Sequence, residues 1–133
     1  MTRTQRLGAL LLGALLQSGS ALADSPATVK QLMQKDVVGD QSKEVQVVTV
    51  EYGAGGASLP HRHDAQVFVY VLQGDLTMQV KGSAPVLLHP GDTFYEGPDD
   101  VHLVSANASK TAPAKFVVFI LKNKGAPASR PAS

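Results

Sequence analysis

His61 and His63 stand two residues apart at the head of an apolar run, and His102 follows a second turn-rich stretch. In an extended chain, side chains at i and i+2 leave the same face, so the first two imidazoles are placed to share an ion. Neutral imidazole is the commonest protein ligand for zinc, iron, copper and nickel. Three such nitrogens leave a divalent ion with open positions for water or a chelating substrate, and the ion then acidifies bound water or polarises what it holds. A fourth candidate is Glu96, whose carboxylate interrupts the aromatic run Phe94-Tyr95-Glu96. Its ordinary place on a strand is a solvated face; near a cation its charged form is favoured, and it would act as ligand or general base.

Other residues have plainer readings. Gln66 is a weak candidate, since amide oxygens suit hard ions better than imidazole-rich sites. His89 opens the turn His89-Pro90-Gly91-Asp92 and is expected to be exposed and structural. Arg62 lies between two histidines of one face and so points to the other. Gly53-Ala54-Gly55-Gly56 has neither the spacing nor the following helix of a phosphate-cradling loop. Asn107-Ala108-Ser109 matches a glycosylation sequon, a pattern frequent by chance. No serine has the setting of a nucleophile elbow, and the chain has no cysteine to serve as nucleophile or ligand.

Short strands separated by turn residues position these groups. Strand-like runs are Val29 to Met33, Val45 to Tyr52, Val67 to Gln73, Leu76 to Val80, Val86 to Leu88, Thr93 to Glu96, His102 to Ala106 and Phe116 to Lys122. Proline and glycine in His89-Pro90-Gly91-Asp92 occupy the i+1 and i+2 positions of a type II turn. Gln73-Gly74-Asp75 reads as a tight hairpin between β-branched runs. Many strands, short turns and almost no helical period favour an all-β antiparallel double sheet or small barrel.

Two segments of this chain resemble the motifs of the cupins. Gly55-x5-His61-x-His63 with Gly74 is similar to the first, and Gly91-Asp92 followed by Pro98 and His102 to the second, with eleven positions from Gly91 to His102. The resemblance implies a small double-stranded β-barrel, the cupin jelly roll. It also implies a metal inside the barrel, held by the two histidines of the first motif, a glutamate a few residues on and the histidine of the second, which assigns His61, His63 and His102 here. The glutamate position falls at Val67, flanked by Gln66 and Phe68, so that acidic ligand is missing. Gly97, Asp99 and Ala106 stand where the second motif usually has proline, glycine and asparagine. Three readings stay open: a three-histidine site like those of some thiol and quercetin-type dioxygenases of the superfamily, replacement of the lost carboxylate by Glu96, or a vestigial site. The last would leave three imidazoles converging in an apolar barrel, which costs free energy.

The first 23 residues have their own logic. Arg3 and Arg6 precede an apolar stretch from Leu7 to Leu16, then polar residues, then Ala21-Leu22-Ala23. This is the pattern of a secretory signal cleaved after Ala23, too short for the ~20 residues of a membrane span. The expected divisions are a signal peptide over 1–23, a cupin domain over 24–121 and a disordered tail over 122–133, rich in Asn, Lys, Gly, Pro, Ala and Ser. The mature chain keeps ten basic against eleven acidic residues, which gives no electrostatic case for nucleic acid or anionic lipid. No membrane anchor remains after cleavage, and the location is periplasmic or secreted.

The expected function is that of an exported single-domain cupin binding one divalent transition metal (Fe, Mn, Cu, Ni or Zn). It would act as an oxygen-dependent oxidoreductase on a small chelating substrate such as an enediol, diketone or thiol. The alternative is a non-catalytic binding module for a small ligand or metal ion. The strand-like segment Val29 to Val38 lies outside both motifs, and in many cupins such a strand joins a neighbour's sheet and covers its edge; a two-fold homodimer is expected.

Overall fold

The structure, a computed structural model, describes residues 27–133. The segment read as a signal peptide, 1–23, lies outside the described residues. Eleven strands follow one another: β1 Thr28–Val37, β2 Asp40–Tyr52, β3 Ala57–Ser58, β4 His61–Arg62, β5 Gln66–Gln73, β6 Leu76–Val80, β7 Val86–Leu88, β8 Thr93–Glu96, β9 His102–Asn107, β10 Ala114–Asn123 and β11 Arg130–Pro131. All pairings are antiparallel. One sheet runs β1-β2-β10-β5-β8; the other runs β11-β4-β9-β6-β7, with β3 also beside β9. Two antiparallel sheets wound on each other in this order make the jelly roll, so the expected all-β double-stranded barrel is the fold.

Alternation along the strands explains the layering. In β5, Val67, Val69 and Val71 are buried while Phe68, Tyr70 and Leu72 face outward. In β10, Phe116, Val118 and Ile120 point inward with them. Each inward aliphatic side chain contributes roughly 1.5–3 kcal/mol by leaving water. From the opposite sheet Leu76, Met78 and Leu88 meet this face, and together with Val71 and Ala114 they fill one end of the sandwich. The other end stays hollow.

Gly91 has φ +95°, and Asp92 N–H donates to His89 C=O at 2.9 Å, as a type II turn requires. The expected Gln73-Gly74-Asp75 hairpin is corrected. β5 pairs with β10 and β8, whereas β6 pairs with β9 and β7, so this corner carries the chain from one sheet to the other. Gly74 is needed there for a steric reason: its φ is +71°, and a Cβ would lie 2.6 Å from Pro113 C=O.

The disordered tail expected over 122–133 is also corrected. Lys122 is buried at the end of β10, its ammonium bound to Glu44 and to Ala126 C=O. Beyond it the chain turns back, and Arg130 and Pro131 pair with Arg62 and His61. Composition missed this because the segment is tied down by partners remote in sequence, among them an Arg130–Asp64 fork.

Candidate metal centre

Backbone pairing brings the histidines together. His61 in β4 is the cross-strand partner of His102 in β9, and such partners hold side chains a few ångströms apart on one face. Their ring centroids are 5.0 Å apart, and those of His61 and His63 are 4.8 Å apart. Each imidazole offers one nitrogen to a set lying within 4.8 Å of one another, a spread that small side-chain rotations close onto an ion with bonds of about 2 Å. Arg62 turns to the other face and donates to Asp99 C=O at 3.1 Å.

The hydrogen bonds decide which nitrogens are free. A carbonyl oxygen only accepts, so the 2.7 Å contact of His61 Nδ1 with Leu59 C=O and the 2.6 Å contact of His63 Nδ1 with Ala128 C=O both place the proton on Nδ1. In the neutral tautomer this selects, Nε2 of each ring carries the lone pair. His102 is 3% exposed, and neither of its ring nitrogens has a hydrogen-bond partner. A buried polar group left so costs free energy, and an ion would remove that cost. Burial pushes the pKa of His61 down, against a smaller upward effect of its bond to Leu59, which favours the neutral form that metals need. The donor set fits a divalent transition metal, with His61, His63 and His102 as its holders.

Glu96 is not on a solvated face; it is 2% exposed. Its Oε2 lies 3.1 Å from His102 Nδ1, off line for a hydrogen bond, and 3.7 Å from His63 Nε2. The β5–β8 register explains the position. Val67, at the position of the missing acidic residue, is the direct cross-strand partner of Glu96, so the Glu96 carboxylate shares its face of the sheet. Gln66 is exposed on the outer side of β5, near Tyr95 Oη at 3.5 Å. His89 is exposed and bonded to Asp75 at 2.8 Å, which raises its pKa. Asn107, of the sequon, is buried, and its amide nitrogen donates to Gly53 and Ala112 carbonyls at 2.9 and 2.7 Å.

The three histidines and Glu96 line the hollow end, a cavity of about 320 Å³. Val48, Val69, Phe116, Val118 and Ile120 supply most of the opposing wall. Two groups there escaped sequence reading. Tyr52 Oη bonds Ser58 Oγ at 2.6 Å and Ser105 Oγ at 2.8 Å, a hydroxyl cluster on the same cavity. Ala128 and Ser129 close another side. The serines lie on β3 and β9, whose mutual pairing Ser58↔Ser105 no local pattern announces.

Residues 47–120 match the model of a family described as a cupin domain. No curated protein matches the chain. Among solved structures, an uncharacterized conserved protein with a double-stranded beta-helix domain from Klebsiella pneumoniae subsp. pneumoniae MGH 78578 is 17% identical, with TM-score 0.63 over 78% of this chain and 84% of its own. The DMSP lyase DddQ from Ruegeria pomeroyi DSS-3 is 18% identical, TM-score 0.64, over 87% of this chain and 56% of its own. A recombinant oxalate oxidase in complex with glycolate is 22% identical, TM-score 0.63, over 84% and 57%. The chain thus spans little more than half the length of either enzyme, and the likeness is one of fold.

Proposed function

The chain belongs to the cupin family, and from that premise we propose that it is an exported metal-dependent protein whose centre is held by His61, His63 and His102 with Glu96 as fourth donor. The observation that carries this reading is the unpartnered, buried His102 facing two imidazoles whose Nδ1 protons are already committed. A bound ion would supply Lewis acidity and, for a redox metal, electron transfer with dioxygen. The residues around it hold and exclude: His61 and His63 present fixed lone pairs, Glu96 balances charge, and the aliphatic wall keeps bulk water from the centre.

The substrate is a small molecule with one chelating end and an apolar body. Among the described residues no lysine or arginine lines the cavity, so a second carboxylate on the ligand would meet no counter-charge and would face Glu96. An enediol or diketone satisfies these demands. The test is elemental analysis of protein purified without chelators or nickel affinity, followed by oxygen uptake with a panel of such compounds. One equivalent of metal, lost in His102→Ala, together with product formation is expected. Metal-free protein would sink the centre; stoichiometric retention of an unaltered ligand would make the protein a binding module instead. The reading extends to a two-fold homodimer through β1, an edge strand exposed along nearly its whole length with Val29, Leu32 and Met33 uncovered; a monomer in sedimentation at micromolar concentration would end that part.

A further inference from the structure

Residues beyond β10 have no part in the family motifs, yet they reach the centre. The returning chain is pinned twice. At its start Glu44 binds the Lys122 ammonium and accepts from Gly125 N–H at 3.1 Å, while Lys122 also donates to Ala126 C=O at 2.7 Å. Near its end Arg130 donates to both oxygens of Asp64, from Nε to Oδ2 and from Nη2 to Oδ1 at 2.9 Å, and Ala132 N–H donates to Pro60 C=O at 3.3 Å. Between the pins lies Ala128, packed against the core, its carbonyl 2.6 Å from His63 Nδ1. Asp64, adjacent to His63, is held at φ +50°, the one non-glycine residue with positive φ among those described.

We propose that the C-terminal segment 126–131 is a positioning element of the metal centre, with Ala128 C=O, set by the Asp64–Arg130 fork, holding His63 as the Nδ1–H tautomer so that Nε2 faces inward. The physical argument is that of outer-shell partners in general. A ligating histidine whose other nitrogen donates to a fixed acceptor has its tautomer and ring plane set before the ion arrives, and losing that partner typically costs 10–100-fold in affinity. His61 gets the same service from Leu59, two residues away on its own loop. His63 instead depends on a residue 65 positions along the chain.

This inference rests on the three-histidine reading above, and its test separates the two. Nitrogen-15 NMR of the imidazoles in metal-free protein, at a pH where they are neutral, reads each tautomer directly; competition with a chromophoric chelator gives the Zn²⁺ affinity. The intact chain should show Nδ1–H at both His61 and His63. Truncation after Pro127 should leave His61 unchanged, release His63 into the tautomer mixture of a free imidazole and weaken Zn²⁺ about 10–100-fold. Arg130→Gln and Asp64→Asn should move both readouts the same way by less, and they decide the matter if the truncated chain does not fold; asparagine tolerates the positive φ at position 64, so the backbone is spared. A folded truncation or fork variant with an unaltered His63 tautomer would overturn the proposal. Failure of the intact chain to bind Zn²⁺ would overturn the metal reading, with the tautomer result still deciding whether the segment positions His63.

Discussion

Glu96 and Val67 face each other across one rung of the β5–β8 ladder. A carboxylate at either position projects into the hollow end of the barrel, because directly opposed residues of an antiparallel pair share a face. Val67 is fully buried and Glu96 nearly so, so two carboxylates on this rung would be buried side by side. Glu96→Val should lower metal affinity at least about tenfold, or 1.4 kcal/mol. Val67→Glu alone should destabilise the fold by placing like charges side by side. The double variant Val67→Glu, Glu96→Val returns the carboxylate to the strand where the family motif has it, and should restore most of the affinity. Metal titration of the four proteins measures this; equal affinity throughout would remove Glu96 from the centre.

The elements that sequence reading placed well are those bounded by turn chemistry. β6, β7 and β8 begin and end at the expected residues, Leu76–Val80, Val86–Leu88 and Thr93–Glu96, because glycine, proline and aspartate fix the chain at their ends. β3, β4 and β11 were not foreseen: two residues carry no period, and each exists only through a partner distant in the chain. The three histidines were legible from type and spacing. The carbonyls that orient two of them were not, since a backbone acceptor has no sequence signature. Gly74 shows where a correct signal had a different cause: the residue does turn the chain, but out of one sheet into the other. Strain at positive φ costs a non-glycine residue roughly 1–3 kcal/mol. Gly82, with φ +89° and nothing within 4 Å of a Cβ, should lose only that on change to alanine, whereas Gly74→Ala adds a 2.6 Å clash with Pro113 C=O. Denaturant unfolding should rank Gly74→Ala clearly below Gly82→Ala, and equal midpoints would show that the corner yields.

At the scale of the whole molecule, a buried ion pair between β2 and β10 of the first sheet also anchors the returning C-terminal segment, through Gly125 N–H and Ala126 C=O. Glu44 and Lys122 are both buried, and Glu44 also takes hydrogen bonds from Gln34 at 2.8 Å and Gly125 at 3.1 Å. The Lys122 hydrogen bond first, then that of Gly125, holds the Glu44 carboxyl below its ordinary 4.5, with burial opposing. A carboxyl whose pKa is lower folded than unfolded contributes stability that is complete above the unfolded value and is lost as pH falls through the folded one. The wild-type chain should thus lose stability on acidification below about pH 4.5 partly through Glu44, and the segment carrying Ala128 should loosen as the carboxylate is neutralised. In Glu44→Gln that component is absent: stability at neutral pH should be lower, because Lys122 stays buried without its counter-charge, and the acid limb flatter. The double variant Glu44→Gln, Lys122→Met, which removes the stranded charge and keeps an apolar stem, should be less damaging at neutral pH than Glu44→Gln alone. Urea midpoints from pH 3 to 7 for the three proteins measure these slopes, and an acid limb in Glu44→Gln as steep as in the wild type would mean that other carboxylates carry the transition.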